Sequence, residues 1–214
     1  MAVINRNSCN SKSIEKRKRN LKKPSLQTGQ RSEALANAIP ARTIQNLRSS
    51  WIRAKRQVRR IFDRLRSSAP VDNLPPQNSV VLIDACNVGY FYTNHRGFSA
   101  EGVRLALQHF FDRGFEAYGM LPRFRLKPGK SSDYTILDML YKNGRLIATP
   151  CKEFPVRGMA YDDRFMLEIA TKYGCTIVSN DQYRDVMHER PGWADCVRQR
   201  RRGFQWNGSY FMLS

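Results

Sequence analysis

Beyond residue 80 short apolar runs alternate with capped amphipathic stretches, and that order leaves few folds open. Val80-Val81-Leu82-Ile83 reads as a buried strand. A helix follows from Ser99 to Arg113, opening at a Ser cap, then a second strand from Phe115 to Leu121 and a helix from Asp133 to Lys142 closed by Asn143-Gly144. Leu146-Ile147-Ala148 makes a third strand, Tyr161 to Tyr173 a helix closed by Gly174, and Cys175 to Ser179 a fourth strand. Parallel strands joined through helices need crossover connections, so the expected product is an α/β domain: a mostly parallel sheet with helices on both faces. Ligands of such sheets sit beyond the carboxyl ends of the strands.

Acidic residues gather where that rule puts the chemistry. Asp84 ends the first strand, Asp181 follows the fourth after Ser179 and Asn180, and Asp162 and Asp163 open the helix whose amino end points at the same edge. Asp185 lies four residues beyond Asp181, a spacing that shares one helical face. The helix dipole favours a carboxylate at Asp162 or Asp163, and one of the two is also a candidate N-cap. Crowded carboxylates repel and raise one another's pKa values unless a cation shares them. Hard oxygen ligands favour magnesium, with manganese as a substitute.

Charge sets the partner class. The chain carries 37 Lys and Arg against 18 Asp and Glu, a formal net charge of +19, which suits a polyanion. Residues 1–72 hold 18 of the basic and 4 of the acidic side chains. Residues 1–40, with Lys16-Arg17-Lys18-Arg19 and Lys22-Lys23 among polar residues, have too little apolar surface to offset ordering and are expected to be a disordered basic tail. Residues 41–67 change character. Ile44, Leu47, Trp51, Ala54, Val58, Ile61 and Leu65 recur at three- and four-residue steps, while Arg48, Arg53, Lys55, Arg56, Arg59, Arg60, Arg64 and Arg66 take much of the opposite side. This is a basic amphipathic helix, fit to dock on the main domain, to pair with a partner, or to lie against RNA or an anionic membrane. Residues 68–78, with Pro70, Pro75 and Pro76, read as a linker to a domain at 79–214.

Several classes fall away. No apolar run approaches the ~20 residues of a membrane span, and the start lacks the apolar middle of a secretory signal, so a soluble intracellular protein is expected. The five cysteines, Cys9, Cys86, Cys151, Cys175 and Cys196, are odd in number and widely spaced, and with three histidines they offer neither a disulfide framework nor a zinc site.

The segments Val-Leu-Ile-Asp-Ala-Cys-Asn-Val at 81–88, Gly97-Phe98-Ser99, Tyr-Asp-Asp-Arg-Phe at 161–165 and Ile-Val-Ser-Asn-Asp-Gln-Tyr-Arg-Asp at 177–185 together resemble the Regnase (MCPIP) type of NYN ribonuclease domain, in order and to the C-terminus. The resemblance implies a PIN-like three-layer α/β/α sandwich and a magnesium-dependent endoribonuclease acting on single-stranded or stem-loop RNA. Carried over, Asp84, Asp163 and Asp181 are metal-site carboxylates, Asn87 orients water or phosphate, Asp162 completes the acidic pocket and Asp185 supports it. The PIN-like class is expected to leave a 3′-hydroxyl and a 5′-phosphate. Two positions depart from the pattern: Ala85 stands where the family usually has a small residue, often Gly, and Cys86, which reads as packing, precedes Asn87; both are small enough to keep the turn there. The Cys-Cys-Cys-His zinc finger of many relatives is not readable here. RNA capture then falls to the basic arm, to basic residues around the pocket, or to another protein.

The RNA-contact candidates are Arg123, Arg125, Lys127 and Lys130 in the loop after the second strand, with Phe124 placed to stack on a base, and Arg157, Ser179 and Asn180, the last two equally fit for turn-forming and capping roles. Arg198, Arg200, Arg201 and Arg202 close a helix, where they also complement its dipole. Tyr90, Phe91, Tyr92 and His95 follow Asn87 and line a groove or pack in a loop. The expected partner is RNA, messenger RNA in particular, with a homodimer and other RNA-decay proteins as candidate assemblies and no membrane. The resemblance places the protein in cytoplasm and ribonucleoprotein granules; the Lys16–Lys23 cluster permits nuclear entry. The chief alternative is a catalytically inactive RNA-binding or scaffold protein of RNA silencing or decay complexes. A haloacid-dehalogenase-like phosphatase would want a second Asp at position 86, where Cys86 stands.

Overall fold

Every central strand is apolar on both sides because both sides are covered. Along β1 (Val80–Asp84), Val80 and Leu82 enter one hydrophobic layer while Val81 and Ile83 enter the other. The computed structural model describes residues 41–68, 80–149 and 161–214. The expected tail at 1–40, nearly all of the expected linker, and Arg157 lie outside the described residues.

The elements run α1 (Ala41–Ser68), β1, α2 (Ala85–Tyr92), α3 (Ala100–Phe111), β2 (Glu116–Pro122), a 3-10 turn (Arg123–Leu126), α4 (Tyr134–Lys142), β3 (Leu146–Thr149), α5 (Tyr161–Tyr173), β4 (Thr176–Val178), α6 (Trp193–Arg200), β5 (Arg201–Arg202), β6 (Phe204–Asn207) and β7 (Tyr210–Leu213). The sheet order is β3-β2-β1-β4-β5 with every pair parallel, and β6 and β7 form a separate antiparallel hairpin. One face carries α1, α5 and α6 through Val58, Phe165, Ile169 and Trp193. The other carries α2, α3, α4 and the hairpin through Val88, Leu107, Leu137 and Phe211. The fold is the expected mostly parallel α/β sandwich. No helix among the described residues is long and apolar enough to cross a membrane.

Helix α1 is docked on the domain by its apolar stripe. Trp51 meets Phe165 edge-on at 5.0 Å and Phe62 stacks on Tyr173 at 3.9 Å. Gln57 Nε2 donates to the Leu146 carbonyl at 2.8 Å on the edge strand β3, and Lys55 pairs with Glu168 of α5 at 2.6 Å. Burial of Val58, Ile61 and Phe62, at about 1.5–3 kcal/mol each, outweighs that half-exposed ion pair, worth about 0–1 kcal/mol. The basic side of α1 stays in solvent, with Arg53, Arg56, Arg59 and Arg60 all exposed.

Three elements depart from the sequence reading. Residues 85–92 form α2, where a turn was expected: Asp84 is its N-cap, its Oδ1 accepting the Asn87 N–H at 3.0 Å. Gly89 lets this helix meet the next segment, because a Cβ there would lie 2.8 Å from the Ser99 carbonyl oxygen. The loop expected after β2 opens with a 3-10 turn, and residues 204–213, to which no element was assigned from the sequence, form the β6–β7 hairpin.

Candidate active site

Parallel register sets the site. Asp84 pairs with Met120, so the ends of β1 and β2 emerge together, and β4 delivers Ser179, Asn180 and Asp181 beside them. A cavity of about 270 Å³ opens at this edge, and Asp84, Asn87, Asp162, Asp163 and Asp181 line it. Four carboxylates from three separate chain segments thus share one space.

Hydrogen bonds fix the first of them. The Asp84 carboxylate caps α2 through Oδ1, while its Oδ2 accepts the Ser179 hydroxyl at 3.0 Å. Each oxygen keeps a second acceptor site for a cation or water. Asn87 Oδ1 accepts the Asn180 N–H at 2.9 Å. A backbone N–H only donates, so the side-chain oxygen is the bonded atom and the amide's donor end is left for the cavity.

Electrostatics follow from crowding. Burial first, then the charges of Asp162, Asp84, Asp181 and Asp185, push Asp163 up to about 8. Burial also raises Asp84 to about 6, with hydrogen bonds from Asn87 and Ser179 opposing it and the charges of Asp162 and Asp181 adding to it. The dipole of α5 pulls Asp163 the other way, but its 0.3–1 kcal/mol is under one pKa unit, and burial wins. Neither Asp162 nor Asp163 is an N-cap, since both lie inside the first turn of α5.

The remaining candidates separate. Asp181 sits in a loop, not on a helical turn: its Oδ1 accepts the Tyr183 N–H at 2.7 Å, and Tyr183 at φ 52° breaks any helix running from 181 to 185. Asp185 is exposed and does not line the cavity, although its charge reaches Asp163. Ser179 is fully buried, its Oγ shared between Asp84 and the Asp181 N–H at 3.1 Å, so it holds the site together and does not meet a phosphate. Asn180 is committed as well, its amide bridging the backbone N–H and carbonyl of Phe204 at 2.9 and 3.1 Å. Of the two readings open for these residues, phosphate contact or a turn and capping role, their side-chain bonds here follow the second: a short buried strand end needs side chains to replace lost backbone partners.

Of the basic candidates, Arg123, Lys127 and Lys130 are exposed at the same edge. Arg125 is instead inserted among aromatic rings, 4.8 Å from Phe98 and Phe124 and 5.1 Å from Tyr90, donating to the Tyr90 hydroxyl and to the Lys130 carbonyl at 2.9 Å. It buttresses the wall of the cavity. Phe124, expected to stack on a base, has the guanidinium on its ring.

Sequence reasoning missed the apolar wall of Met120, Pro122 and Met166 and the buried Tyr183. The first two lie at the carboxyl end of β2 and were findable by the rule that located Asp84. Tyr183 gave no signal, because its role depends on a left-handed backbone. Cys86 also lines the cavity, and burial pushes its thiol up to about 12, so it is no nucleophile.

Over residues 77–214 the chain matches the family described as Zc3h12a-like Ribonuclease NYN domain. The chain belongs to this family. Among curated proteins it is 33% identical over 141 residues to Endoribonuclease rege-1 of Caenorhabditis elegans, covering 63% of this chain and 22% of that protein. The chain spans about a fifth of that relative's length. Among solved structures it is similar to nuclear proteinaceous RNase P 2 from A. thaliana, at 17% identity and a TM-score of 0.47, covering 78% of this chain and 35% of that one. The NYN domain thus begins near the expected linker, and α1 precedes it.

The donor set fits a hydrated divalent ion. Among the described residues no three His, Cys, Asp or Glu side chains stand close enough to hold one ion directly, so Asp84, Asp163 and Asp181, read as metal-site carboxylates, would reach an ion at least partly through its waters. Magnesium keeps several of its waters and is held by one or two carboxylates, and a roomy cavity with surplus negative charge suits that form. The Tyr183 hydroxyl, which lies near Ser179 without a hydrogen bond to it, is buried in the cavity wall with no partner among the described residues.

Proposed function

We propose that this chain is a magnesium-dependent endoribonuclease that cleaves single-stranded or stem-loop RNA internally, with messenger RNA as substrate class. The observation that carries the reading is the convergence of Asp84, Asp162, Asp163 and Asp181 on one cavity at the carboxyl edge of the sheet, in a strongly basic chain. Carboxylates alone would repel a phosphodiester.

Asp84 and Asp181 would hold the ion, directly or through its waters, with manganese as a substitute. When bound, such an ion supplies neutralising charge at the phosphate and an acidified water as nucleophile. The chain's own residues do the rest. Asn87 turns its amide donor toward the cavity to orient a phosphate oxygen, and the Ser179 bridge keeps Asp84 and Asp181 in register. Asp163, raised to about 8, holds a proton at neutral pH in the empty site, and once a cation displaces that proton its carboxylate adds to the negative charge that would hold the ion. Met120, Pro122 and Met166 exclude water from one side.

A second reading, an RNA-binding protein without turnover, is favoured by the lack of a direct three-ligand group among the described residues. Labelled RNA incubated with the full chain, with magnesium and then with chelator, separates the two. The enzyme reading expects magnesium-dependent internal cleavage that Asp84→Asn or Asp181→Asn lowers by roughly 100-fold or more, at unchanged RNA affinity. Binding without cleavage at any magnesium concentration favours the scaffold.

A further inference from the structure

We propose that α1 and the NYN domain together form a second, positively charged groove that binds the sugar-phosphate backbone of the substrate RNA away from the scissile bond. This rests on the ribonuclease reading above. A cavity of about 480 Å³ lies between α1 and the β3 edge, lined by Arg53, Arg56 and Arg60 of α1 and by Arg123 and Lys142 of the domain. No acidic residue lines it. Arg53, Arg56 and Arg60 form no ion pair among the described residues, unlike Lys55, which is held by Glu168, Arg59, which meets Asp63, and the groove's own Lys142, which pairs with Asp138 at 2.6 Å.

Three features favour an RNA backbone as the occupant. Steps of three and four put the three α1 guanidiniums on one helix face over about 10 Å of axis, so that each can meet a phosphate of one strand. Docking needs only the apolar stripe, yet the outward face carries arginine, whose planar fork suits phosphate. The groove and the catalytic cavity are lined by neighbouring residues of the chain, Pro122 in the cavity and Arg123 in the groove. A strand leaving the carboxylates over Pro122 therefore runs onto a cationic track, which offsets the repulsion of the acidic pocket. The groove lies partly outside residues 77–214, so it is a property of this chain and not of the NYN domain alone.

The test uses the full 214-residue chain, its Arg53→Ala/Arg56→Ala/Arg60→Ala variant and the corresponding Lys triple. The probes are single-stranded RNAs of about 6 and about 20 nucleotides, bracketing common single-strand site sizes. The groove predicts that the Ala triple raises KM for the longer RNA about tenfold and leaves the shorter unchanged. By fluorescence anisotropy, the slope of log affinity against log salt falls by about 2, at about 0.7 per lost phosphate contact. The Lys triple, keeping the charge, restores most of the binding, which also shows that α1 remains docked. Equal salt slopes for wild type and the Ala triple overturn the groove, as does an equal loss on both RNAs. A wild-type chain that binds the longer RNA but cleaves neither refutes the enzyme reading, while the anisotropy comparison still decides the groove. Loss of binding to phosphatidylserine vesicles with unchanged RNA constants overturns it in favour of a lipid surface.

Discussion

Replacing Asp163 by Asn should make the metal-free protein more stable at neutral pH while removing its activity. The Asp163 carboxyl is raised from 3.8 to about 8. Between those values the unfolded chain has released the proton and the folded one still holds it, so the folded state binds one more proton and stability falls as pH rises through this window. The slope is about 1.4 kcal/mol per pH unit at full effect, or roughly 2–3 kcal/mol between pH 5 and pH 7. Partial solvent access reduces this to about 1–3 kcal/mol. At roughly 3 °C per kcal/mol for a domain of this size, thermal melts in chelator should show the Asn variant gaining about 3–9 °C over wild type on going from pH 5 to pH 7. Asp84, raised to about 6, is present in both proteins and cancels. Magnesium at pH 7 should close the gap, because it binds the ionised native state of wild type. A variant whose advantage is the same at both pH values, or which is less stable at pH 7, would show that the carboxylates are not crowded as described.

Removing the Ser179 hydroxyl with Ala strands Asp84 Oδ2 and the Asp181 N–H, so a stability loss of about 1–3 kcal/mol is expected, with kcat reduced and RNA affinity kept; chemical denaturation and steady-state kinetics check both. Phe62→Ala removes the stack on Tyr173 and should cost about 3 kcal/mol, read as a lower denaturation midpoint; no change would mean that α1 does not hold the domain as described. Apparent magnesium affinity should rise with pH, by up to about tenfold per unit below 8, because the ion must displace the Asp163 proton. A flat magnesium titration across pH 6 to 8 contradicts this.

What was legible in the sequence follows from which forces act locally. Buried runs such as Val80–Ile83 and caps such as Ser99 and Asn143-Gly144 are local signals, and the parallel sheet followed from their alternation. Asp84, Asp162, Asp163 and Asp181 were placed by topology alone, since any parallel sheet brings strand ends and helix starts to one edge. The roles of Ser179, Asn180 and Arg125 were not legible. Each is decided by a partner 20 to 100 residues away, such as Asp84 for Ser179, Phe204 for Asn180 and Tyr90 for Arg125. Helix α2 was missed because Gly89 and the aromatic residues around it favour a helix poorly, and tertiary packing overrides that preference.

Manganese binding followed by electron paramagnetic resonance tests the central claim most directly, since it reads the ion without relying on turnover. The account predicts one bound ion per chain, lost in Asp84→Asn and in Asp181→Asn and displaced by magnesium. Cleavage of RNA that persists in chelator, with no manganese bound by the wild-type chain, would contradict it.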